Sequence, residues 1–232
     1  MRRPGRMLAA LGVALALLPA GCRDKAHSRV GCYVAPGGAI AKVGRVVFLP
    51  LANPTGFPSV EEGLREELLR MIQGRGIFRV EAAARQPGGA ADLAALSGKP
   101  LALKDLSAIR RASGADAVLV GSVTGCQPYP RMRLGLRLKL LDLRDGRLLW
   151  AVDHVWDATD EHTQRRMERF FENEVGEGAA PFDWELATVS PQAFQGFVAW
   201  EVAETLPGPV ATASAAGGPQ GVLANFRKNG RL

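Results

Sequence analysis

The chain has 232 residues, 47% of them apolar, with a formal net charge of +6. Three of the 29 basic residues and none of the 23 acidic ones fall in residues 1–21, so the surplus beyond that segment is only +3 (26 against 23). A balance this mild gives no electrostatic case for nucleic acid, and a length of about 210 residues past the leader suits one domain with a tail.

Residues 1–21 carry Arg2, Arg3 and Arg6, then an apolar run over residues 7–18, then Pro19-Ala20-Gly21-Cys22. The run is shorter than the ~20 apolar residues a spanning helix needs, so the segment reads as a secretory signal peptide. Its ending resembles a bacterial lipobox, with Pro19 where Leu is usual, and that makes Cys22 the expected lipidation site. Ordinary cleavage after Ala20 or Gly21, leaving Cys22 a plain thiol, is the alternative. The residues after Arg2-Arg3, Pro4 and Gly5, do not support twin-arginine export.

Residues 22–42 lack apolar periodicity and read as a tether. Residues 43–51 (VGRVVFLPL) suit a strand buried on both faces, and Asn53-Pro54-Thr55-Gly56 breaks it. Ser59 with Glu62 predicts a capping box, opening a helix whose stripe is Val60, Leu64, Leu68, Met71 and Ile72 and which Gly74 stops. Residues 77–82 form a second strand, and residues 85–100 an exposed connection. A short helix over residues 104–113 carries Leu106 and Ile109 and ends at Gly114; residues 115–123 (ADAVLVGSV) give the sheet its centre.

From Met132 to Leu140 every second residue is Met or Leu, with Arg131, Arg133, Arg137 and Lys139 on the other face. Arg144-Asp145-Gly146 predicts a three-residue turn, and residues 148–156 return as the partner strand. Pairing Leu143 with Arg147 sets Leu140 against Trp150, Leu138 against Val152, Leu134 against Trp156, Arg137 against Asp153 and Arg133 against Asp157. A two-residue turn would bury Asp153 and Asp157 among leucines, at a cost of several kcal/mol. Residues 157–175 read as a helix with Met167, Phe170, Phe171 and Val175 on one face, and residues 176–188 as a loop holding Phe182 and Trp184. Ser190-Pro191 opens a last helix with Phe194, Phe197, Val198 and Val202 on its stripe. Residues 207–232 (beginning PGPVATASAAGGPQ) read as a disordered tail. The predicted fold class is α/β, an α+β mixed sheet in one domain over residues 43–206 with a long antiparallel hairpin.

Cys32 and Cys126 are an even pair in an oxidising space and are expected either to form a disulfide or to stay as two unrelated thiols. His27, His154 and His162 have no metal-ligand spacing, and His154, opposite Leu136, suits a half-buried structural role; no metal is predicted. Ser122 lies between glycines off the spacing of a nucleophile elbow and reads as a small packed residue. Asp157, Asp160, Glu161, Glu168, Glu172 and Glu174 among Arg165, Arg166 and Arg169 read as a solvated helix face. No enzyme is predicted.

Three motifs resemble the TolB amino-terminal-like fold: Arg45-Val-Val-Phe-Leu-Pro50 followed by Asn53, the strand Ser113 to Val123 (SGADAVLVGSV), and the hairpin ending LLDLRDGRLLW before residue 151. Envelope lipoproteins of the CsgG and LpoB type carry this domain. The resemblance implies a binding or assembly protein without catalytic residues and without a cofactor other than the diacylglycerol and N-acyl lipid on Cys22. A tether of about 20 residues at ~5–6 Å × √n reaches a few tens of ångströms, too short to cross a periplasm. Arg23 rather than Asp after the lipid cysteine resembles lipoproteins sent to the outer membrane, with the domain facing the periplasm. The expected function is to bind or scaffold another envelope protein through a sheet edge or the Arg131, Arg133, Arg137 and Lys139 face, with oligomerisation left open. The alternative is a subunit of a CsgG-like secretion pore, in which the ~11-residue hairpin strands face lipid.

Overall fold

The computed structural model describes residues 30–83, 99–175 and 184–208. The signal peptide, Cys22, most of the expected 85–100 connection, Phe182 and residues 209–232 lie outside the described residues. The fold is mixed α/β: a six-stranded sheet in the order β1-β6-β5-β4-β2-β3. Its strands are β1 (Cys32–Val34), β2 (Arg45–Phe48), β3 (Arg79–Ala82), β4 (Ala117–Gln127), β5 (Arg133–Asp142) and β6 (Leu148–Asp157). The helices are α1 (Ser59–Gly74), α2 (Leu103–Ser113), α3 (Glu161–Phe170), α4 (Trp184–Ala187) and α5 (Pro191–Glu204). Strand β2 runs parallel to β3 and β4, while β4, β5, β6 and β1 are antiparallel neighbours.

Alternation along β2 explains how the sheet gains two cores. Val46 and Phe48 face a large core shared with α1, α3 and α5, and Val47 and Leu49 face a small one shared with Leu106 and Ile109 of α2. The large core takes the leucines of β5 (Leu134, Leu136, Leu138, Leu140) and Trp150, Val152 and Trp156 of β6. Phe170, Phe194 and Phe197 cover them, with Phe170 and Phe197 ring centres 6.0 Å apart. The hairpin's apolar face is therefore spent inside the domain, which corrects the expectation attached to a pore that this face meets lipid.

The strand register is the predicted one: Leu140 opposes Trp150, Leu138 Val152, Leu134 Trp156, Arg137 Asp153 and Arg133 Asp157. The turn is not. Register slips after Leu140, so that Leu141 opposes Leu148 and Leu149 bulges out of the pairing. Asp142 N–H then donates to Arg147 O at 2.9 Å, closing a four-residue loop with Gly146 at φ +73°. The bulge turns adjacent Leu149 and Trp150 into the same core, both about 1% exposed, and lets Leu143 bury beside Leu106 and Ile109.

Part of the expected tether is built into the fold. Strand β1 pairs with β6, Ala35 N–H donates to Leu149 O at 2.8 Å, and Val30 and Ile40 are buried. Three residues with no alternating pattern leave no sequence signal, because this pairing is made only by the edge of β6. The α1 capping box is absent: Pro58 caps the helix without a side-chain bond and Ser59 lies inside it. The left-handed glycine after α1 is Gly76 (φ +66°), not Gly74. Gly114 ends α2 at φ +64°, as predicted. Asp160, accepting from Thr163 N–H at 2.9 Å, starts α3 later than expected, and its α-helical part stops at Phe170. Residues 184–187, expected in a loop, form α4.

Gly121 of β4 is a close-approach position. A Cβ there would sit 2.5 Å from the Arg137 carbonyl oxygen of β5 and against Leu138 Cδ2. Since the obstacle is backbone, Gly121→Ala is expected to cost about 1–3 kcal/mol. Urea unfolding that shows no loss of midpoint would refute this packing.

Candidate partner-binding face

Strands β5 and β6 supply a half-sheet covered on one side only. Helix α2, on the other side, packs over the small core contributed mainly by β2, β4 and the β5–β6 loop. It leaves the outer face of the hairpin open at most odd-numbered positions, Gly135, Leu141 and Leu149 excepted. Arg133, Arg137, Lys139, Asp153 and Val155 are exposed there, with Ala151 and Asp157 half-buried.

The structure brings Arg133, Arg137 and Lys139 onto this one face, and it places Arg131, also exposed, in the turn before β5. Arg137 Nε donates to Asp153 Oδ2 at 2.7 Å, and Arg133 Nε lies 3.8 Å from Asp157 Oδ2. Both carboxylates are held in place or opposed across the strands, so the face is a stripe of paired charges rather than a purely basic patch. Exposed pairs of this kind are worth about 0.2–1 kcal/mol and leave the groups free to exchange partners. Asp157 also accepts from the Thr159 hydroxyl (2.6 Å) and amide (2.8 Å); these bonds, aided by the Arg133 charge, hold its carboxyl below the usual carboxylate range. Lys139 stands opposite Ala151 and has no ion-pair partner among the described residues.

Beside the stripe, Ser107, Arg110 and Arg111 of α2 and Leu143 and Arg144 of the hairpin loop line a shallow open depression of about 390 Å³. Arg144 is fixed by Asp142, a residue only 2% exposed, which accepts from its amide (2.8 Å), Nε (3.0 Å) and Nη2 (2.8 Å). Arg110 and Arg111 are exposed in the last turn of α2, where cations complement the helix dipole. The sequence reading passed over these two arginines in favour of Leu106 and Ile109. The signal that locates them is a basic pair in the last turn of a short helix, just before Gly114.

The Arg144 guanidinium holds the Asp142 carboxyl below the usual range. A depressed acid stabilises the fold above its unfolded value, ~3.9, and that stability disappears as pH falls through the lower folded value. Asp142→Asn is expected to flatten the acid limb of the stability curve below pH ~4 while lowering stability at pH 7. Chemical denaturation at both pH values checks this; an unchanged acid limb would contradict it.

His154 pairs with Leu136 and packs edge-on against Trp156 with ring centres 4.8 Å apart. Burial, aided by the Arg166 charge, lowers its pKa, as suits a structural histidine. Ser122 is half-buried on β4 opposite Arg137. Among the described residues, no group of three His, Cys, Asp or Glu could hold a metal ion, and no helix is long and apolar enough to cross a membrane.

Cys32 and Cys126 are both free, which corrects the disulfide expectation. Cys32 lies on β1 and Cys126 on β4, with β5 and β6 between them. Three strand spacings of ~4.8 Å alone put at least about 14 Å between them, and the register sets Cys32 level with Gly121 rather than Cys126, so they lie far beyond the roughly 7 Å that a bridge tolerates. Burial pushes the Cys126 thiol pKa up.

No known family model matches the chain, and comparison with curated proteins finds no match. Among solved structures, the chain is similar to the PelC dodecamer of Paraburkholderia phytofirmans (L103M form), at 18% identity and TM-score 0.40, over 54% of this chain and 79% of that one. Lipoprotein GNA1162 of Neisseria meningitidis gives 18% identity and TM-score 0.40, over 48% and 81%. The LpoB C-terminal domain of Salmonella enterica gives 22% identity and TM-score 0.34, over 49% and 82%. A likeness at this level carries no role over to the chain.

Proposed function

We propose that this is a non-enzymatic, lipid-anchored envelope protein that binds another envelope protein through the open face of the β5–β6 hairpin. The observation that carries the reading is the half-covered sheet. The two faces of β5 and β6 are equally regular, yet one is sealed by α3 and α5 and the other is left to solvent with a charged stripe. Arg110, Arg111 and Lys139, without ion-pair partners among the described residues, give this side a cationic surplus. An acidic patch on the partner is the complementary surface, since charge complementarity steers encounter and fixes register. The anchor at Cys22 and the outer-membrane address rest on the leader and on Arg23. The pore reading loses the observation that favoured it, because the leucine and tryptophan face of the hairpin is buried.

The test is affinity purification of the full chain from cells treated with a reversible crosslinker. The native chain is expected to retain a discrete envelope protein, and Arg137→Ser with Lys139→Ser to lose most of it at unchanged expression. Equal recovery by both would overturn the assignment of this face.

A further inference from the structure

Three loop residues, beyond the C-terminal ends of β2 and β4 and ahead of α5, keep large apolar side chains in water: Phe57 (41% exposed), Tyr129 (83%) and Val189 (51%); Tyr33, Val34 and Val155 are exposed on the strands themselves. The opposite end, with the hairpin loop and the start of α2, exposes Leu103. Tyr129 lies between Pro128 and Pro130 in the β4–β5 turn, where Gln127 Nε2 donates to its carbonyl at 2.9 Å. Phe57 closes the loop after β2; its carbonyl accepts from Asn53 Nδ2 at 2.9 Å, and Asn53 Oδ1 accepts from Thr55 N–H at 3.1 Å. Val189 follows Thr188, whose carbonyl accepts from Met132 N–H at 3.1 Å and ties it to the β4–β5 turn. Loops pinned in this way present apolar side chains at little entropic cost.

The backbone arrives at that same end. Strand β1 is antiparallel to β6, with Val34 opposite Trp150 and Cys32 opposite Val152, so Val30 lies further towards Asp157. Asp157 opposes Arg133, and Arg133 opposes Gln127, which brings the 128–132 turn to the same edge of the domain. Only residues 23–29 separate Cys22 from Val30. Even fully extended, that length spans at most about 29 Å.

We propose that Phe57, Tyr129 and Val189 form a membrane-contacting end that rests in the interfacial layer of a phospholipid bilayer. The hairpin then stands on the membrane, with the arginine-lined depression at its outer end. Tyr129, an aromatic with one polar tip, favours that layer, Phe57 and Val189 add apolar area, and arginines beside them reach the headgroup phosphates. Arg131 and Arg133 supply the cations, while Asp157, Asp160 and Glu161 at the same end offset them, so the contact does not require acidic lipid. The inference rests on the reading of Cys22 as acylated.

The test uses the acylated full chain carrying Cys32→Ser and Cys126→Ser in vesicles of phosphatidylethanolamine and phosphatidylglycerol. An environment-sensitive fluorophore is placed at Arg131→Cys or, at the far end, at Ser107→Cys. The expected result is a blue shift and strong quenching by spin-labelled lipid at position 131, neither at position 107, and a several-fold loss of quenching with Phe57→Ala plus Tyr129→Ala. Vesicles that carry the protein but leave position 131 unquenched would overturn the contact while leaving the anchor intact. A chain that does not float with vesicles would defeat the acylation reading and the contact with it. A blue shift without lipid quenching would mean that protein covers this end, and would also overturn it.

Discussion

Glu201→Ala is expected to destabilise the domain by about 3–5 kcal/mol, lowering its melting temperature by roughly 10 °C. Glu201 sits on α5, about 3% exposed, and accepts from Trp156 Nε1 at 2.7 Å and from Arg166 Nε at 2.7 Å. Arg166 is itself largely buried, its side chain 12% exposed. Removing the carboxylate leaves an uncompensated cation and an unsatisfied indole N–H in the core, and truncation adds a cavity. The carboxylate bonds β6, α3 and α5 together at the point where three elements meet. Glu201→Gln keeps one acceptor and is expected to lose less. Thermal unfolding followed by circular dichroism decides it: an alanine variant melting within about a degree of the native chain would show that the network holds nothing.

Cys22→Ser is the second large effect, and it is one of place rather than stability. Cys22 lies outside the described residues, and the expected change is read in location alone. Without a thiol there is no acceptor for lipid, and the chain is expected to move entirely from the membrane fraction to the soluble periplasmic fraction. Cell fractionation with an immunoblot reads this directly. If the serine variant stays with the membrane at the native level, the anchor is something other than acyl chains on this cysteine.

How far the sequence can be read depends on where each interaction comes from. The hairpin was legible because period-2 alternation marks β5 and because only one register sets Arg137 on Asp153 and Arg133 on Asp157. The loop between them was not. A local reading favours a three-residue turn, but Leu143 gains more by burying against Ile109, with its amide donating to Asp116 O at 2.9 Å. Glu61 shows the same competition. It lies in the first turn of α1, next to the Glu62 expected to cap the helix, yet its carboxylate crosses to accept the Leu51 N–H at 3.1 Å, a tertiary bond no local pattern announces.

Helix α5 was legible as a helix and illegible as a layer. Its stripe of Phe194, Phe197, Val198 and Val202 predicts one buried face, but Gln195, Gly196, Ala199, Glu201 and Ala203 are buried too. Flanking by α1 as well as the sheet encloses it, with Gly63 of α1 set directly against the Gln195 side chain. The candidate face was half legible. Alternation identified Arg133, Arg137 and Lys139, and the register identified Asp153 and Asp157 as the cross-strand carboxylates opposite two of them. Neither shows that α2 stops short of covering the stripe, since helix placement over a sheet is decided by the small core beneath it.

The claim that the open hairpin face is where this protein meets its partner is tested most directly by site-specific photocrosslinking in intact cells. A photoreactive residue at Lys139 is expected to give a discrete adduct with a single envelope protein, and one at Glu66, on α1 across the sheet, to give none. Equal labelling at both positions, or adducts from Glu66 alone, would contradict it.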